Sequence, residues 1–171
     1  ILSINTVLGI SFAAADWILP FSDGEKTANY IRSHFPENIT VAGYSDCPAT
    51  TVANYLGKDV YLLNNLRKSS YIIFSTKRLQ PAGDLILHNI FFLADSLKSL
   101  AVILNDPVNV NGERPLPDVG EEKQLTFQSE TGNHRILFKN LAYFGNSMAG
   151  GESFYVYDVR EITPDSAIIE S

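Results

Sequence analysis

A single cysteine, Cys47, stands in a chain of 171 residues. One thiol cannot close a disulfide within the chain, and it excludes zinc or iron–sulfur sites built on several cysteines. Positive charge is scarce as well: 13 Lys and Arg face 19 Asp and Glu, for a net charge of −6. No basic run exceeds two residues, as at Lys77-Arg78. That is too short for the electrostatic footprint of a nucleic-acid surface, so no nucleic-acid partner is expected. The loop motifs of nucleotide binding are missing too. Gly43-Tyr44-Ser45-Asp46-Cys47-Pro48 follows the first predicted strand, yet it lacks the glycines that let a pyrophosphate approach the backbone. No Walker loop occurs. The three histidines, His34, His88 and His134, stand in no tight spacing with one another or with carboxylates. Neither a metal site nor a cofactor is therefore expected. Glu121-Glu122 lies in a polar stretch with no apolar pocket to raise a carboxyl pKa, which predicts a solvated pair.

Apolar residues are plentiful, at 45% of the chain, enough for one domain with a full core. Residues 1–20 carry one charge, Asp16, and have neither a basic start nor a small-residue cleavage site. That excludes a signal peptide. The stretch does not open on Met, and its expected role is a membrane-proximal segment of a longer protein, with Trp17 as an interfacial aromatic. The competing reading is an amphipathic helix packed on its own domain. The expected organisation is a membrane-proximal segment over 1–21, one α/β domain over 22–162 and a poorly ordered tail over 163–171.

Within that domain, Ser22-Asp23-Gly24-Glu25 reads as a capping box opening a helix that runs to about Phe35. Ala28, Ile31 and Phe35 recur at helical spacing and form its apolar stripe. A strand over 39–44 follows. Pro48 suits the first residue of a second helix, with Ala49, Val52, Ala53 and Leu56 on one face and Gly57 as a left-handed stop. Strands are predicted over 60–63, 71–75 and 101–104, with a polar turn over 64–69 and a third helix over 84–99. Residues 106–122 carry Pro107, Pro115 and Pro117 and no apolar period, so they read as a long loop. Three further strand-like runs, 125–128, 135–144 and 154–159, are separated by turn signals. The expected fold is α/β: a three-layer Rossmann-like sandwich whose mainly parallel sheet is extended by a C-terminal antiparallel meander.

In open α/β sheets, ligands bind beyond the carboxyl ends of the strands. Those ends here carry Ser45-Asp46-Cys47, Asn64-Asn65, Thr76-Lys77-Arg78 and Asn105-Asp106. The candidate ligand-binding residues are Asp46, Cys47, Thr50, Asn64, Lys77, Arg78 and Asp106. The amides opening the second helix, with Thr50 and Thr51 in its first turn, are suited to an anionic or hydroxyl-rich ligand. A catalytic thiol at Cys47 needs a histidine beside it, and none is near in sequence, so no catalytic residue is assigned. Tyr143, Phe144, Tyr155 and Tyr157 crowd the last hairpin, either as cross-strand pairs or as a carbohydrate-stacking face.

The run from Asp16 to Ile31 (DWILPFSDGEKTANYI), the run from Thr50 to Tyr61 (TTVANYLGKDVY) and the strand Phe154-Tyr155-Val156-Tyr157 carry a resemblance. They resemble the soluble C-terminal domains of bacterial polytopic membrane proteins of the GT-C type, glycosyltransferases that use lipid-linked sugars. That resemblance implies a non-catalytic domain on the extracytoplasmic (periplasmic) side of the plasma membrane, with an accessory or substrate-positioning role. The implied partners are the membrane part of the same parent protein and a lipid-linked sugar or glycan. The family's catalytic acid lies in the membrane part, so none is carried onto this chain. Two rival readings stay open: a free-standing α/β transferase or hydrolase using Asp46 and Cys47 or Asp106, and a docking module whose contact is the loop 106–122.

Overall fold

The computed structural model describes residues 22–44, 46–71, 82–129, 132–145 and 152–162. The segment 1–21, residues 72–75 of the strand expected after the polar turn, and the tail 163–171 lie outside the described residues. Among the described residues three helices flank one sheet: α1 (Gly24–His34), α2 (Asp46–Leu56) and α3 (Gly83–Leu97). The strands are β1 (Val41–Tyr44), β2 (Val60–Leu62), β3 (Arg67–Ser69), β4 (Ser99–Leu104), β5 (Glu122–Ser129), β6 (Gly132–Phe144) and β7 (Phe154–Ile162).

The seven strands run in the order β3-β2-β1-β4-β7-β6-β5. The parallel part is the trio β2-β1-β4, with Gly43 opposite Leu62 on one side and Ile103 on the other. Beyond it, β4 pairs antiparallel with β7, and β7-β6-β5 form the meander at that edge. At the other edge, the stretch expected as a polar turn splits. It makes a tight turn, with Leu66 at φ 56°, and then a short strand, β3, antiparallel to β2. Composition missed this strand because Arg67-Lys68-Ser69 has no apolar pattern; backbone pairing with the buried β2 decides it.

Two apolar layers follow from strand alternation. On one face α1 and α2 bury Ala28, Ile31, Val52 and Ala53 against Val41, Ala101, Ile103 and Val156. On the other, α3 buries Ile86, Ile90, Leu93 and Ala94 against Leu100, Val102, Phe138, Tyr157 and Val159. Consecutive residues of β4 thus serve opposite cores, which explains why its sequence is continuously apolar. In β6, by contrast, Ile136 and Phe138 are buried while Arg135 and Lys139 are exposed.

Helix ends differ from their sequence signals in instructive ways. The capping box does not form: Asp23 is the N-cap and makes no side-chain cap bond, and Ser22 Oγ accepts from the Gly24 amide instead. The Asp23 carboxylate is taken by Lys26 at 2.9 Å. The second helix begins at Asp46, two residues ahead of Pro48, and the proline still lies in the first turn, where its missing N–H costs nothing. Gly57 stops that helix at φ 69°, as expected. The long loop after β4 is not loose. Val108 and Leu116 are buried, and Asn140 holds its far end by donating from Nδ2 to the Pro117 carbonyl at 3.1 Å. Among the described residues no helix is long and apolar enough to cross a membrane.

Candidate functional site

Parallel pairing of β2, β1 and β4 puts the residues after Leu62, Tyr44 and Leu104 on one rim. Asp46, Cys47, Asn64 and Asp106 therefore share the carboxyl end of the sheet, as their positions predict. Lys77 and Arg78 lie outside the described residues. Backbone bonds fix the rim: the Asn105 amide donates to Tyr44 O at 3.0 Å and the Leu63 amide to Gly43 O at 2.9 Å.

The side chains divide into those committed to the fold and those turned outward. Thr50 is buried at 3% exposure, and its hydroxyl donates to Asp46 O and Cys47 O, the carbonyls of its own first turn. Thr51 does the same to Cys47 O. Both hydroxyls are thus used within the helix rather than offered to a ligand. Asp46 stands in the first turn of α2 and places a carboxylate at the positive helix end, which disfavours an anion there. Asp106 is exposed and accepts from Asn105 Nδ2 at 3.1 Å. Asn64 Oδ1 is buried and meets no hydrogen-bond donor among the described residues. A buried acceptor left in that state costs about 1–3 kcal/mol.

The rim continues across the antiparallel strands. Tyr143 and Tyr155 are cross-strand partners with ring centroids 4.5 Å apart, and Tyr155 lies opposite Leu104. Tyr143 is 47% exposed. Burial raises the Tyr155 phenol pKa above its ordinary value; Tyr143, Asp106 and Asp118 raise it further, and Arg114 opposes them. Two carboxylates and a guanidinium thus lie within electrostatic reach of Tyr155.

None of the three histidines serves Cys47 as a base. His34 stacks on Tyr30 at 3.8 Å and shares its Nδ1 with Tyr30 O and Ser33 Oγ. His88 is exposed and sits edge-on to Phe127 at 5.4 Å. His134 lies at the opposite end of the sheet. There its Nδ1 is 2.9 Å from Glu161 Oε1 and 3.0 Å from Asp95 Oδ1, while Lys98 Nζ is 2.6 Å from Glu161 Oε2. Lys98 and His134 both hold the Glu161 carboxyl below its usual pKa, the lysine hydrogen bond contributing most. Sequence reasoning passed over this group because Asp95, His134 and Glu161 are far apart along the chain. The signal for it is that each stands near an end of its element, at the same end of the sheet.

No family model, curated protein or solved structure matches this chain. A cleft of about 540 Å³ also exists, between the C-terminal ends of α1 and α2, lined by Ile31, Arg32, Leu56 and Lys58. It lies at the amino ends of the parallel strands, away from the rim. Lys58 is committed there to the carbonyls of Glu37 and Ile39. Shape alone favours this cleft, but the rim has the outward-turned polar and aromatic groups that recognition requires.

Proposed function

We propose that this chain is a non-catalytic extracytoplasmic domain of a polytopic, glycosyltransferase-like membrane protein, and that its rim positions a hydroxyl-rich ligand, a lipid-linked sugar or glycan. The membrane setting rests on the resemblance carried by Asp16 to Ile31 and Thr50 to Tyr61. The ligand class rests on one observation: the exposed Tyr143 ring, packed at a tilt of 34° against Tyr155, whose phenol feels the charges of Asp106, Asp118 and Arg114. An aromatic face with carboxylates at its border suits a sugar, whose C–H faces are apolar and whose hydroxyls donate. The acidic first turn of α2 argues against a bare anion. The enzyme reading is weaker, because no described histidine faces Cys47 and Thr50 is spent on its own helix.

The test is binding of a water-soluble lipid-linked sugar analogue and of the free sugar, followed by NMR of the tyrosine rings. Tyr143 and Tyr155 signals are expected to shift, and Tyr143→Ala is expected to weaken binding by about tenfold, the loss of one ring contact. Unshifted tyrosine signals at millimolar ligand would remove the rim from consideration. Fractionation of cells expressing the full-length native gene product tests the setting: recovery in the cytosol would end the membrane assignment and leave the rim's ligand open to its own test.

A further inference from the structure

The end of the sheet opposite the rim carries a second arrangement, independent of the first. Asp95 comes from the last turn of α3, His134 from the start of β6 and Glu161 from the end of β7. One ligand atom from each lies within 4.8 Å of the other two. His134 Nδ1 makes the shortest approaches, 2.9 Å to Glu161 Oε1 and 3.0 Å to Asp95 Oδ1. A single imidazole nitrogen aimed at two carboxylate oxygens at once holds a shared positive centre between them, either a proton or a metal ion. A tetrahedral zinc with bonds of about 2.1 Å separates its ligand atoms by about 3.4 Å, so small side-chain movements convert this triangle into a coordination face.

The frame around the group is firm. The Glu161 amide donates to Lys98 O at 3.0 Å, which locks the helix end to the strand end. Lys98 caps α3 in the left-handed conformation at φ 64°. The Glu161 side chain is 10% exposed and that of His134 17%, whereas Lys98 is 63% exposed. With a neutral imidazole, two carboxylates and one ammonium leave a net charge of −1 in this partly buried place. The exposed lysine can swing into solvent and free Glu161 for a divalent ion.

We propose that Asp95, His134 and Glu161 form a three-ligand site for a first-row divalent cation of the zinc class, with Lys98 as the displaceable charge that occupies it when the metal is absent. One nitrogen and two oxygen donors suit zinc better than calcium or magnesium, which take oxygen alone. Binding releases any proton on His134 Nδ1 to solvent and moves the ammonium off Glu161.

The test titrates the full 171-residue chain, first stripped with a chelator, with zinc alone. Calorimetry is expected to give one ion per chain, and imidazole nitrogen NMR should show His134 as the ring that shifts. Glu161→Gln should weaken binding by about 100-fold, since even outer-shell partners are worth 10- to 100-fold. Lys98→Gln should strengthen it by about tenfold through lost cation–cation repulsion. If Glu161→Gln does not melt cooperatively, Asp95→Asn at the partly exposed helix end takes its place. Absence of a stoichiometric site in the wild-type chain, or a shift confined to His34 or His88, would overturn the assignment.

Discussion

Gly43→Ala tests the seating of α2 on the sheet, on which the whole rim depends. Gly43 lies in the middle of the parallel trio, and α2 crosses directly above it. A Cβ at this position would stand 2.7 Å from Ala49 Cβ and 3.0 and 3.2 Å from the Ile103 side chain. Carbon atoms pack at about 3.5–4.0 Å, so the helix start would have to lift by several tenths of an ångström. Overpacking of this kind costs about 1–3 kcal/mol. Against it, alanine restricts the unfolded chain, which stabilises by about 0.4–1 kcal/mol. The net expectation is a loss of about 1–2 kcal/mol, or about 2–8 °C in Tm for a domain of this size. Urea and thermal melts measure it directly. Repeating the substitution in an Ala49→Gly background removes the nearest clash, so Gly43→Ala should cost less there, with a coupling of about 0.5–3 kcal/mol. An unchanged or raised midpoint, or the same cost in both backgrounds, would mean that α2 does not sit where the rim requires.

Two further expectations concern the α3 face. Asn89, 6% exposed, donates from Nδ2 to Leu63 O at 2.7 Å and ties the helix to the turn after β2. Asn89→Ala strands that buried carbonyl and should lower stability by about 1–3 kcal/mol in urea melts with an unaltered slope; a change of a few tenths would show that the carbonyl finds another donor. Tyr157, 2% exposed, has its phenol pKa pushed far above 10.0, chiefly by burial, with Tyr155 and Asp118 adding to it. The unfolded chain ionises this group near 10 and the folded chain does not, so unfolding releases a proton in alkali. Stability should therefore fall above about pH 10 by up to 1.4 kcal/mol per pH unit from this residue. Tyr157→Phe should flatten that decline, and parallel slopes for the two proteins would contradict the burial argument.

Much of the fold is written in local patterns. Ile86, Ile90 and Leu93 at helical spacing mark the buried row of α3, and the unbroken apolar run of β4 marks a strand covered on both faces. The shared rim was legible too, because alternating helices and strands require parallel neighbours, and parallel neighbours align their carboxyl ends. Local signals failed where two partners compete for one group. The Ser22 hydroxyl took the Gly24 amide, so the expected box gave way. Thr50, a ligand contact by position, turned inward and donates to the carbonyls of its own helix turn. Arg67-Lys68-Ser69 became a strand through pairing with β2 rather than through its own composition.

By itself, the sequence determined the alternation of buried and exposed residues, because burial of apolar side chains acts over the few residues of one helical turn or strand repeat. It also determined what chemistry is absent: paired cysteines, phosphate loops and a broad basic surface. Only the tertiary structure decided which distant side chains meet. Asp95, His134 and Glu161 converge because α3, β6 and β7 end on the same side of one sheet, and Tyr143 meets Tyr155 because a hairpin register places them opposite. Such meetings depend on strand order and register, which are set by the packing of the whole core rather than by neighbours along the chain.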